Sequence, residues 1–147
     1  MPLPWHNLLP LLLPAFPPKV RFFRENDMEK IAVSASDQSL EAQVEVRFGR
    51  AVCFLLIDPD TMDFEAVTNR QNLQAAQGAG IQAAALVARY QPTAVLTGYC
   101  GPKAYHTLLA AGIPVFLGVT GSVRDAVQQF RQGKLSPARG PNASGHW

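Results

Sequence analysis

The chain has 147 residues, 48% of them hydrophobic and 16% charged, enough for one self-sufficient core and too short for two good domains. A net charge of +2 is too small to argue for nucleic acid, and two cysteines far apart in sequence, Cys53 and Cys100, exclude a zinc knuckle or a C-x-x-C redox motif. Cys53 sits in an apolar strand pattern, so both cysteines read as reduced thiols, which favours the cytoplasm.

Residues 1–27 carry prolines among leucines (Leu8-Leu9-Pro10-Leu11-Leu12-Leu13-Pro14). No Lys or Arg precedes the leucines, as a secretory signal requires, and the apolar run is too short to span a bilayer. Met28-Glu29-Lys30-Ile31-Ala32-Val33 has the form of a protein start leading into a buried strand. Residues 1–27 are therefore expected to be a disordered leader or a mis-called start, and 28–147 the domain.

Residues 31–34 form a short apolar run suited to a buried strand, followed by a polar loop over 34–43. Arg47-Phe48-Gly49-Arg50 then places two guanidinium groups at the entry to a longer strand, 51–58. Such forks suit anions, although on composition alone a solvated surface pair is the more common arrangement. Asp58, Asp60 and Asp63 crowd the next turn, where a solvated turn accounts for them better than two-metal catalysis, and 64–68 returns as a hairpin partner.

Gly78-Ala79-Gly80 opens an alanine-rich helix over 81–90. With two of three fingerprint glycines it is weak evidence for a dinucleotide, and close helix packing explains it as well. A strand over 93–97, a helix over 102–110 with Pro102 in its first turn, a strand over 113–117 and a helix over 123–132 complete the order βββαβαβα. Gly112 and Gly133 stand where helix C-termini favour positive φ. A hairpin beside strands joined by helical crossovers predicts an α/β fold, a mixed five-stranded sheet with helices on both faces.

Thr97-Gly98-Tyr99-Cys100-Gly101-Pro102 joins a strand end to a helix start, the place where open α/β sheets bind ligands. A thiol there can be a soft-metal ligand or reactive group, and equally a small buried cysteine in a tight turn. The second half of the chain would tolerate an anion better than the first, since residues 28–70 carry four basic and eight acidic side chains whereas 71–147 carry six basic against Asp125 alone. A solvated surface of uneven sign explains this as well. The terminal His146-Trp147 pair could dock and bring an imidazole to a metal, or dock without one. His106 and His6 are weaker ligand candidates. The sequence has no G-x-S-x-G, no H-E-x-x-H and no P-loop, so no catalytic set is legible.

Jointly, Arg47-Phe48-Gly49-Arg50-Ala51, Asn72, Gly78-Ala79-Gly80-Ile81-Gln82-Ala83-Ala84, Thr97-Gly98-x-Cys100-Gly101-Pro102-x-Ala104, Ala111-Gly112-Ile113, Gly133-Lys134-Leu135 and Pro141-Asn142-x-x-Gly145-His146-Trp147 resemble the dinitrogenase iron-molybdenum cofactor biosynthesis family. That family includes NifX-like and NafY-like domains and the C-terminal part of NifB-like proteins. The resemblance implies a ribonuclease-H-like three-layer fold. It also implies a non-enzymatic role: binding, storing or delivering an iron-sulfur, molybdenum-containing or related metal-sulfur cluster, held transiently, during metallocofactor assembly of the nitrogen-fixation kind.

Carried over by position, the resemblance points to Arg47, Arg50, Gly98, Cys100, Gly101 and His146 as cofactor-binding, with Cys100 and His146 as metal ligands. Arg47 stands where many members have His, and Cys53 where an aromatic is common. The implied partners are cofactor-assembly or acceptor proteins, with neither nucleic acid nor membrane. One cysteine and one or two histidines cannot supply four thiolates, so the expected cargo brings its own sulfides. A ligand-free interaction module and a ribonuclease-H-like nuclease are the opposing readings; the placement of Asp58 to Asp63 at a turn weighs against the nuclease.

Overall fold

The computed structural model describes residues 29–74 and 78–143. The expectations for residues 1–27 and for His146-Trp147 lie outside them. Five strands, β1 (Ile31–Ala35), β2 (Cys53–Ile57), β3 (Phe64–Thr68), β4 (Ala94–Leu96) and β5 (Val115–Phe116), form one mixed sheet in the order β3-β2-β1-β4-β5. β2 runs antiparallel to both β1 and β3, while β4 pairs parallel with β1 (Ile31 opposite Ala94) and with β5 (Val95 opposite Val115).

The helices are α1 (Arg70–Leu73), α2 (Ala79–Ala88), α3 (Pro102–Ala110) and α4 (Val123–Arg131), with a 3-10 turn at Phe48–Arg50. The order expected from sequence is present with α1 added. Gly112 and Gly133 take positive φ just after α3 and α4, as their positions predict. Ser122 begins α4 by accepting the Asp125 N–H on its hydroxyl at 3.0 Å, which satisfies one of the donors that a helix start leaves unpaired.

Alternation along the strands divides the core in two. On one face Ala32, Phe54, Leu56, Val95 and Val115 meet Ala83, Ala84 and Val87 of α2 and Tyr105 and Leu108 of α3. On the other face Ile31, Val33, Leu55, Ile57, Leu96 and Phe116 meet Val123, Ala126 and Val127 of α4. Because both faces are covered, β1 and β2 are buried at every residue, which is why their sequences read as unbroken apolar runs.

The alanines of α2 let it approach the Phe48–Arg50 turn closely: a Cβ added to Gly49 would lie 2.9 Å from the Gly80 Cα. The close approach is thus required at Gly49, whereas Gly78 takes a φ of 82° at the start of α2 and a Cβ added to Gly80 would lie at ordinary distance from Ala104. Phe48 fills the space beside this contact, its ring centroid 5.0 Å from that of Phe54, a pairing worth about 0.5–1.5 kcal/mol beyond its buried area.

α1 has only one turn and no local periodicity to announce it. It is held by a buried amide network in which Asn69 Nδ2 donates to the Ala51 carbonyl at 2.8 Å and Asn72 Nδ2 to Asn69 Oδ1 at 2.7 Å. At the β2–β3 turn, Asp58 Oδ1 accepts the N–H groups of Asp60 and Thr61. Asp58 is thus a largely buried turn cap, whereas Asp60 and Asp63 are exposed.

Candidate functional site at the carboxyl edge of the sheet

β1, β4 and β5 are mutually parallel, so their carboxyl ends share one edge, and the segments after them, 36–50, 97–101 and 117–122, meet there. The 97–100 segment is the hub. On one side Tyr99 N–H donates to the Val46 carbonyl and Phe48 N–H to the Tyr99 carbonyl; on the other, Gly118 N–H donates to Gly98 O at 2.9 Å and Val119 N–H to Thr97 O at 3.1 Å. Beneath the hub two buried hydroxyls, Ser34 Oγ and Thr97 Oγ1, lie 2.8 Å apart, and Ser34 donates to the Glu45 carbonyl at 2.7 Å. The 43–48 segment is thereby fixed against the ends of β1 and β4.

Gly98 is required by this approach. A Cβ there would meet the Val46 carbonyl oxygen at 2.6 Å, its Cα at 2.8 Å and its Cβ at 2.9 Å. The close contact brings Arg47 into bridge pairing with Tyr99, and Val46 and Tyr99 are both exposed. Arg47 lies 3.7 Å from Glu45 in a partly exposed ion pair, which softens its positive field without burying it. Arg50 is directed elsewhere: its Nη1 donates to the Leu73 carbonyl at the end of α1 at 3.4 Å.

Cys100 is 1% exposed and packed in the core layer of α2 and α3. Burial pushes its thiol up to about 12, so in this conformation it holds its proton through the neutral range despite preceding the start of α3. Gly101 is the N-cap of α3, with Pro102 in the first turn and Lys103 behind it. Cys53 lies in the opposite core layer. Its thiol is also pushed up, by burial and then by the charge of Asp37, against an opposing effect from Arg70.

The edge therefore gathers Arg47, Gly98, Cys100 and Gly101, while Arg50 faces α1. His106, on an exposed position of α3, stacks edge-on against Tyr105 at 5.7 Å. Among the described residues no three His, Cys, Asp or Glu side chains come together as a metal site, and no helix is long and apolar enough to cross a membrane.

Sequence reasoning gave Tyr99, Val46 and Asn142 no role. Asn142 lies across the hub: its Oδ1 accepts the Cys100 N–H at 2.9 Å, its Nδ2 donates to Gly98 O at 3.0 Å, and its own N–H donates to Cys100 O at 3.2 Å. The Pro-Asn pair near the chain end was the available signal, but no local periodicity says what such an asparagine touches.

Comparison with known proteins gives a consistent set of matches. The family model described as dinitrogenase iron-molybdenum cofactor matches residues 29–133. The apo form of the orange protein from Desulfovibrio gigas is 44% identical, with a TM-score of 0.76 over 79% of this chain and 98% of that one. A Thermotoga protein of the DUF35 family is 26% identical, with a TM-score of 0.68 over 80% of this chain and 99% of that one. An uncharacterised protein from Methanocaldococcus jannaschii is 29% identical over 91 residues, which is 60% of this chain and 76% of that protein.

Proposed function

Because the chain belongs to the dinitrogenase iron-molybdenum cofactor family, we propose that it binds a preformed metal-sulfur cluster at the carboxyl edge of its sheet and stores it or delivers it to an acceptor protein. The family is of cofactor-biosynthesis type and not a catalytic one. The strand order β3-β2-β1-β4-β5, with β2 antiparallel, supports the ribonuclease-H-like assignment.

The observation that carries the reading is the kind of donors the edge offers. It has a partly exposed guanidinium at Arg47, an exposed aromatic at Tyr99, the start of α3 with Lys103, and exposed Gly118, Thr120 and Gly121. It has no grouped His, Cys, Asp or Glu among the described residues. Such a surface does not build a cluster from bare ions, for which thiolates are needed. It suits an anion that carries its own sulfides and asks for cations, N–H donors and an apolar wall.

On this reading Arg47, Gly98 and Gly101 shape the cradle. Cys100 supplies sulfur only when its loop opens and its thiol leaves the core; Arg50 and His146 are second-rank contributors. Two buried unpaired thiols support a reducing, cytoplasmic location, and the partners are assembly or acceptor proteins.

The test is anaerobic incubation of the protein with iron, sulfide and tetrathiomolybdate, followed by desalting, visible absorption and metal analysis, with Cys100→Ser in parallel. Colour and stoichiometric metal retained by the wild type are expected. Loss in Cys100→Ser would assign the sulfur as a ligand, and retention would assign the cradle alone. A colourless wild type would remove the cluster-binding reading and favour an interaction module using Val46 and Tyr99.

A further inference from the structure

After Gly133 the chain turns back across the sheet edge over residues 134–143 and is attached at two places. Ala138 N–H donates to the Val115 carbonyl at 2.7 Å, and Tyr105 Oη donates to the Ala138 carbonyl at 3.1 Å. Asn142 makes the second attachment, taking the N–H and C=O of Cys100 and sharing the C=O of Gly98. One residue thus engages the N–H and C=O of Cys100 and the C=O of Gly98, in the loop whose Cys100 side chain lies buried in the core.

The segment is not itself part of the core. None of its residues is buried; Leu135 and Ala138 are half-buried, and Asn142 is exposed. It is held by a few hydrogen bonds near solvent, the pattern of a unit that opens locally at far less cost than global unfolding. Its anchors nevertheless reach into the core, since Tyr105 and Cys100 belong to the same packed layer.

We propose that residues 134–143 are a releasable strap, with Asn142 as the residue that sets the closed form of the Gly98–Gly101 loop, and that cargo enters this loop only when the strap is off. The inference rests on the cluster-binding reading for the identity of the cargo. The strap itself is a property of the apo-protein. While it is on, the Cys100 N–H and C=O are taken by Asn142 and the side chain lies in the packed layer of α2 and α3; strap release frees the backbone groups and lets the loop open to solvent. Loading and discharge are then controlled by the chain end.

The test uses the full chain without metal or sulfide: alkylation of each cysteine by iodoacetamide, followed by mass spectrometry, in the wild type, Asn142→Ala and Tyr105→Phe. Asn142→Ala removes two side-chain hydrogen bonds, and Tyr105→Phe removes one while keeping its ring in the core. Cys100 is expected to react on the order of tenfold faster in Asn142→Ala and several-fold faster in Tyr105→Phe, with Cys53 unchanged. An unchanged Cys100 rate in both variants overturns the strap. So does a parallel rise at Cys53, which would mean that the thiol is reached only by global unfolding. With no cargo present, this result is independent of whether the cluster-retention experiment succeeds.

Discussion

Substituting Gly98 by alanine tests the contact on which the carboxyl edge is built. The new methyl would stand 2.6 Å from the Val46 carbonyl oxygen and 2.8 Å from its Cα, both backbone atoms that cannot rotate away. Relief requires moving the 46–48 segment from the 98–99 segment. That breaks or stretches the Tyr99 to Val46 and Phe48 to Tyr99 hydrogen bonds, each worth about 1 kcal/mol net. Overpacking of this kind adds about 1–3 kcal/mol, so Gly98→Ala should destabilise by about 3–5 kcal/mol if both bonds are lost. Gly80→Ala is the control, because its methyl would meet only the Ala104 Cβ at an ordinary 3.5 Å and the change favours helix; its effect should lie within about 1 kcal/mol of zero. Denaturant titrations with unchanged m-values give both numbers. Equal midpoints for Gly98→Ala and the wild type would refute the close approach and, with it, the positioning of Arg47 beside Tyr99.

Two further perturbations address other parts of the molecule. Asn69→Ala leaves the Ala51 carbonyl and the Asn72 amide without the partners they have now; loss of buried pairing of this kind should cost about 2 kcal/mol or more, read as a lowered denaturation midpoint. For Cys100, the folded-state value is raised from near 9 to about 12, so the unfolded chain ionises first. The contribution is fully present below pH 9 and is lost as pH rises towards 12, by up to about 4 kcal/mol. Cys100→Ala should flatten that fall in stability, leaving the part due to Cys53, and identical pH slopes for variant and wild type would contradict the burial of the thiol.

The parts of the fold legible in the sequence are those set by local pattern. The hairpin strand Phe64–Thr68 and the helix Pro102–Ala110 have the bounds their sequences suggest, because a turn cluster and an N-terminal proline mark them. The strand expected over 113–117 shortens to Val115–Phe116, since it pairs only with the short β4. α1 was missed because it is held by Asn69 and Asn72, residues whose partners lie elsewhere in the chain. At the site, spacing placed Cys100 between a strand end and a helix start. The direction of its side chain depends on core packing, and the closure of its loop depends on Asn142, 42 residues away. Neither is encoded by neighbours in sequence.

The central position of β1 also bears on how the chain acquires its structure. β1, β2 and β3 follow one another and can zip as a meander, but the hydroxyl pair of Ser34 and Thr97 joins residues 63 apart, and the parallel β1–β4 pairing spans the same gap. Loops of that length must close before any contact between those strands is gained, so this step should dominate the folding time. During that interval the apolar inner edge of β1 is open to pairing with another unfinished chain. Intermolecular association should therefore compete most strongly before α2 and β4 dock and should subside once they have.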